Sequence, residues 1–413
     1  MQMIDDFVRF LQNSPTVWHA AKEISNRLAA ADFTPLEEQN PWDLKPGQGY
    51  FLFREGALCA FRMSTHAPQR VIIAASHTDS PALKLKPQPD IASHGLSQLA
   101  TEIYGAPLLH TWLDRDLCLA GQIATLSPCG SIDMHLVYLD HLPLSIPSIA
   151  PHLERTLSEK GLHIHKQDHL KPIFSLSPTT LASHLSLPNI LSFDLFLVPT
   201  QPPSYLGPSN ELLSAYRIDN LSSAHASLHA LLQAKAQPHT LQMAIFWDHE
   251  EIGSNSYTGA KSDFLLQTLE RLSLHAHLSR EDFMRLKARS LCLSIDVAHG
   301  LHPNFTEKFD PQNTPHLGQG VAFKFSAEQK YANSAPTTAF LIHLCKTHSI
   351  PYQLSASRSD IPSGSTVGSF MAANLGIPTI DIGVPIWAMH STRETLSPTD
   401  QTSLAHLLQA AFQ

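Results

Sequence analysis

The chain has 413 residues, 43% of them hydrophobic and 15% charged, and a formal charge of −8. This composition excludes a disordered protein, and an acidic balance without any basic block argues against nucleic acid as a partner. The length favours two domains over a single core.

In chain order, the acidic segment Met1 to Phe10 lacks the apolar core of a signal peptide, and no stretch is apolar enough to span a bilayer. A cytoplasmic protein without membrane attachment is expected. Residues 16 to 31 predict an amphipathic helix, with Val17, Ala20, Ala21, Ile24 and Leu28 on one face and Thr16 or Ser14 as the cap. Val71 to Ala75 predicts a buried strand, which runs into Ser76, His77, Thr78 and Asp79. From about Leu85 to Pro203 the texture changes to short β-like pieces such as His135 to Leu139, among prolines that exclude long helices. Pro199 to Pro208 reads as a linker.

Beyond it, helices and strands alternate. Helices are expected around Ala224 to Leu232, Phe264 to Leu274, Thr337 to Cys345 and Ser397 to Phe412. Strands are expected at Leu241 to Trp247, Ser290 to Ile295 and Pro378 to Ile382. Alternation of this kind predicts an α/β fold, a sheet with helices on both faces. The domain would be discontinuous, residues 1–87 and 204–413, with the β-rich segment 88–203 inserted.

The strand Leu241 to Trp247 ends in two adjacent glutamates, Glu250 and Glu251. Ionised carboxylates are costly to desolvate alone, so the pair makes sense if one binds a metal and the other moves a proton. The five cysteines are scattered and form no C-x-x-C, so ligands would have to be histidines and carboxylates. In an open α/β sheet, ligands bind beyond the carboxyl ends of the strands. His77, Glu251, Asp296 and His390 stand at such ends, and Asp219 just before a helix. These five make a coherent set for two divalent ions, with Asp219 as the shared carboxylate. Asp79 would accept the second ring N–H of His77. Glu250 would be the general base and acid. Adjacency alone does not say which glutamate binds and which moves the proton.

At these motifs the chain resembles the aspartyl aminopeptidase family. The matching segments are Ser76 to Pro81, Thr111 to Asp116 with Leu119 to Gly121, and Arg217 to Asn220. They continue through Asp248 to Ser254, Asp296 to His299 with His302 to Asn304, and Met389 to Ser391 with Arg393 and Glu394. The resemblance implies a two-metal catalytic domain with an inserted dimerisation domain, assembled into a tetrahedral dodecamer. It implies release of N-terminal Asp or Glu from peptides, with Zn, or else Mn or Co, as the two ions per subunit. It orders the glutamates, Glu251 as ligand and Glu250 as base. It further makes His152 a group sent into a neighbouring subunit's active site, and His299, Lys324 and Tyr331 substrate-binding residues. Lys324, on an alternating stretch, is expected to be exposed on one strand face. The sequence departs from the family pattern at Gly300, Ser359 and Ser363. Two other readings fit less well: a related aminopeptidase preferring neutral residues, and a non-enzymatic scaffold on the same fold.

Overall fold

A computed structural model describes residues 2–413. Its centre is a nine-stranded mixed sheet. Strands Thr240–Trp247, Arg70–His77, Leu291–Ile295 and Thr379–Gly383 lie side by side and parallel. They are continuous apolar runs because both faces are covered, as parallel strands require. Alternate residues go to opposite cores: Ile72, Ala74, Ala244 and Phe246 to one, Val71, Ile73, Met243 and Ile245 to the other. Helices Gln2–Gln12, Val17–Ala30, Ile218–Gln233, Ala335–Thr347 and Pro398–Phe412 cover the first face. Helices Phe264–His275, Arg280–Arg289 and Val367–Leu375 cover the second.

A six-stranded antiparallel sheet is built entirely from residues 82–199, with its own core around Trp112, Leu119, Leu195 and Leu197. Its strand Ala82–Ser93 straddles the expected 87/88 boundary. Its edge strand Ile132–Leu144 carries alternating apolar residues, Ile132, Met134, Leu136 and Tyr138, all exposed. A third, five-stranded sheet includes the short strands Pro385–Trp387 and Glu394–Leu396.

Two local expectations differ from the structure, and one element was not foreseen. Thr16 is the N-cap of Val17–Ala30 by position, but its side chain makes no capping bond; its hydroxyl lies 2.7 Å from His19 Nδ1 instead. The 199–208 segment is not all linker, since Ser204–Leu206 pairs with Leu212–Ala215. The hairpin Gly49–Arg54 with Ala57–Arg62 extends the central sheet; its turn takes Glu55 to φ 50, a conformation that Glu seldom adopts and that sequence alone does not announce. Among the described residues, no helix is long and apolar enough to cross a membrane.

Candidate metal centre

The parallel strands deliver their carboxyl ends to one edge of the sheet. His77 is the last residue of Arg70–His77. Glu250 and Glu251 follow Thr240–Trp247 in a tight turn between His249 (φ 60) and Gly253 (φ 94). Asp296 follows Leu291–Ile295. His390 comes after Pro385–Trp387, at φ 69. Asp219 sits at the start of Ile218–Gln233 with non-helical angles, and the Asp219–Asn220 peptide is cis.

These five side chains converge. Asp219 faces two ways, with Oδ1 3.4 Å from His77 Nε2 and Oδ2 3.5 Å from His390 Nε2. Each histidine has a second carboxylate of its own. Asp296 Oδ1 lies 3.6 Å from His77 Nε2, and Glu251 Oε2 lies 3.4 Å from His390 Nε2. Glu250 Oε2 is 3.9 Å from His77 Nε2. Ligand atoms of His77, Asp219 and Glu251 lie within 4.8 Å of one another, as do those of His77, Glu250 and Asp296. Proximity therefore admits either glutamate as a ligand.

Asp219 Oδ1, Glu251 Oε1 and Asp296 Oδ1 are buried without a hydrogen-bond partner. Orphaned buried carboxylate oxygens are costly, and a divalent cation would satisfy them. Imidazole nitrogens with carboxylate oxygens suit Zn, Mn or Co. By this donor set the residues present fit a pair of divalent ions.

The electrostatics carry the same message. Burial pushes the Glu250 carboxyl up to about 8, against the pull of His77 and with help from Asp296. Burial also lifts Glu251 well above the usual carboxylate range, with Asp219 adding to it. At Asp219 burial acts upward, but hydrogen bonds to His390 and His77 hold the carboxyl below its ordinary value. At both histidines burial opposes the imidazolium and hydrogen bonding to Asp219 outweighs it, raising His77 well above its ordinary value and His390 to about 9. Protons and a metal thus compete for the same cluster.

Asp79 is 3% exposed and supports the cluster from behind. His77 Nδ1 lies 3.3 Å from Asp79 Oδ1 and 3.1 Å from the Asp79 carbonyl oxygen. The same carboxylate accepts the backbone N–H groups of Glu250 and Glu251, each at 3.1 Å, and the Tyr104 hydroxyl at 2.7 Å. Sequence reasoning missed a second support, Glu394. It accepts the backbone N–H of Asp219 at 2.9 Å and of His390 at 2.7 Å. It opens a short strand that is buried at both ends, and its partner Asp219 is remote in the chain, which left no local signal.

The cluster forms the floor of a cavity of about 530 Å³ whose walls include His299, Tyr331, Arg358 and Lys324. Lys324 is 4% exposed rather than open on a strand face. Its ammonium donates to the Val297 carbonyl at 3.1 Å, stands 3.8 Å from Asp296 Oδ2, and lies 5.0 Å from the Tyr331 ring centre. The strand Val321–Phe325 is paired on both edges, with Thr379–Gly383 and Tyr352–Ala356. Arg358 is held by Asp360 through two bonds of 2.9 and 2.8 Å. At Gly300 an added Cβ would collide with the end of the Leu317 side chain. His152 is exposed in a loop of the inserted segment and is not among the residues lining this cavity.

Comparison with known proteins places this geometry. The chain matches the family described as aminopeptidase I zinc metalloprotease (M18) over residues 10–412. It is 39% identical over 426 residues to a probable M18 family aminopeptidase 2 of Streptomyces avermitilis, covering 99% of this chain and 97% of that protein. A protein of the same description from Pseudomonas savastanoi is 36% identical over 429 residues, covering 100% and 98%. Among solved structures, the chain is similar to Ape4 in its complex with Nbr1, with TM-score 0.94 and 29% identity, over 99% of this chain and 85% of that one. It is similar also to the mApe1 dodecamer of S. cerevisiae, with TM-score 0.84 and 25% identity, over 98% and 95%.

Proposed function

Because the chain belongs to the aminopeptidase I zinc metalloprotease (M18) family, we propose that it is a metalloaminopeptidase releasing N-terminal Asp and Glu from peptides. The observation that carries the metal reading is Asp219, flanked by two histidines that each have a further carboxylate. In this reading His77, Asp219 and Asp296 hold one divalent ion, and His390, Asp219 and Glu251 the other. Zn is the first choice, with Mn and Co also suited. Bound there, the ions would polarise the scissile carbonyl and acidify a water.

The chain's own groups supply the rest. Glu250 stands farther from the nearest imidazole, its carboxylate 3.9 Å from His77 Nε2, than Glu251 does from His390 Nε2 at 3.4 Å. Its carboxyl, held up to about 8 by burial before any cation draws it down, can take a proton and return it to the leaving amine. Asp79 holds His77 with Nε2 turned to the cluster and fixes the turn that carries both glutamates. The cavity of about 530 Å³ leaves room for a chain end.

Acidic preference rests on Lys324, with His299 and Tyr331 beside it in the cavity wall. Asp296 and its neighbours keep that ammonium charged against the cost of burial. A neutral preference is the second reading, favoured by the same ammonium's existing bonds to Val297 and Asp296. The test is turnover of Asp-, Glu- and Leu-terminated peptides by protein stripped of metal and reloaded with each ion. Fastest cleavage of Leu would end the acidic reading and the Lys324 role together. Failure to bind two ions per chain, with no hydrolysis under any divalent ion, would favour a scaffold.

The separate cores support a catalytic unit of residues 1–87 and 204–413 with an inserted unit of 88–203. The apolar edge strand Ile132–Leu144, and the dodecamer named for the S. cerevisiae relative, support assembly of copies through the insertion. In that assembly His152 would serve a neighbouring chain's cavity.

A further inference from the structure

The insertion reaches the metal centre of its own chain just after its strand Leu96–Tyr104. Strand Leu96–Tyr104 leaves the six-stranded sheet, and the next residues pass directly behind both histidines. Resting on the two-ion reading above, we propose that Tyr104 and the Gly105–Ala106 backbone are positioning elements that aim both metal-binding imidazoles.

Three observations meet here. The Tyr104 hydroxyl donates to Asp79 Oδ2 at 2.7 Å, and Asp79 is the group that faces His77 Nδ1. The Ala106 carbonyl accepts from His390 Nδ1 at 3.0 Å. That bond puts the His390 proton on Nδ1 and leaves Nε2 free to bind a metal. The chain then crosses His390 again, where the Leu108 N–H donates to the His390 carbonyl at 2.9 Å. His390 has φ 69, uncommon for any residue but glycine, and needs such external restraint.

Gly105 is what lets the segment come so close. It has φ 69, and an added Cβ would lie 3.2 Å from Glu251 Cβ and 3.4 Å from Pro81 Cα. Any other residue there would carry both backbone strain and a contact tighter than ordinary packing. One short segment therefore sets His77 through Asp79, sets His390 directly, and abuts Glu251. The simpler account is that Tyr104 only packs against its own sheet. Its ring does stand edge-on to Phe196, with centres 5.5 Å apart.

The experiment compares zinc affinity per site, by chelator competition, in wild type, Tyr104→Phe, Gly105→Ala and Phe196→Leu. Apoprotein melting is recorded alongside, with the visible spectrum of the cobalt-loaded protein. Tyr104→Phe keeps the ring and loses only the hydroxyl. It is expected to weaken one ion by about 10–100-fold, the range for removing a ligand's orienting partner. The cobalt spectrum should change and apoprotein melting should not. Gly105→Ala is expected to weaken both ions. Phe196→Leu loosens the packing without touching the hydrogen bond and should bind both ions as wild type does. Wild-type affinity in Tyr104→Phe, or equal loss in Phe196→Leu, would overturn the positioning role. Wild type binding fewer than two ions would instead overturn the two-ion reading on which it rests.

Discussion

The metal centre and the outer strand of the inserted sheet break the usual pattern of burial in opposite senses. At the strand ends, Asp79, Asp219, Glu251, Asp296 and Glu394 crowd like charge into the interior. On Ile132–Leu144, Ile132 is 65% and Met134 56% exposed, apolar surface facing outward on alternate positions. Folding alone favours neither arrangement, because buried charge and exposed apolar area both oppose stability. Each is therefore better explained by what it binds than by what it contributes to the fold. The first asks for cations and the second for another apolar surface.

That contrast can be broken by removing function from one region while leaving the other intact. Glu250→Gln should lose about 10²–10⁴-fold in kcat, the usual worth of a general acid–base group, and keep its metal count. Turnover close to wild type would remove Glu250 from the chemistry. His152→Ala tests whether the two regions meet across chains. It should lower kcat by about 100-fold if it stabilises charge in a neighbouring cavity. An unchanged rate would leave His152 a surface residue.

Acidification probes the centre alone. His77 and His390 gain protons when the metal leaves, so metal affinity falls as pH falls. The expected slope is about tenfold per pH unit for each proton displaced, levelling off for His390 above about 9. Chelator competition from pH 6 to 9 measures it, and a flat profile would exclude the histidines as ligands. The smallest effect on chemistry is expected from Met134→Glu on the outer strand. Sedimentation should show smaller assemblies, while metal content should stay at the wild-type level. Unchanged mass would show that this strand is not the contact.

Legibility in the sequence followed the range of the interactions. Continuous apolar runs predicted the central strands because both faces are buried, and the polar residues directly after them carried the ligand set. His77, Glu250, Glu251 and Asp296 could be read this way. Glu394 and Tyr104 could not, because their partners are remote: Asp219 is 175 residues from Glu394, and Asp79 is 25 from Tyr104. Lys324 misled for a related reason. Alternation on Val321–Phe325 suggests one open face, but the Val297 carbonyl, Asp296 and the Tyr331 ring cover the Lys324 ammonium. Helix Gln2–Gln12 was passed over because its acidic, polar outer face masks the buried stripe Ile4, Phe7, Phe10 and Leu11.

Asp79 has one further consequence, for how energies combine. Its two oxygens serve the His77 ring, the Glu250 and Glu251 amides and the Tyr104 hydroxyl at once. Substitutions at these residues share a partner, so their effects should not sum. A double-mutant cycle between Tyr104→Phe and Asp79→Asn should show coupling within the range of about 0.5–3 kcal/mol found for residues in one network. The same Tyr104 change paired with one on the outer strand should be additive. The pattern of non-additivity would trace, without any new structure, which residues the centre treats as a single unit.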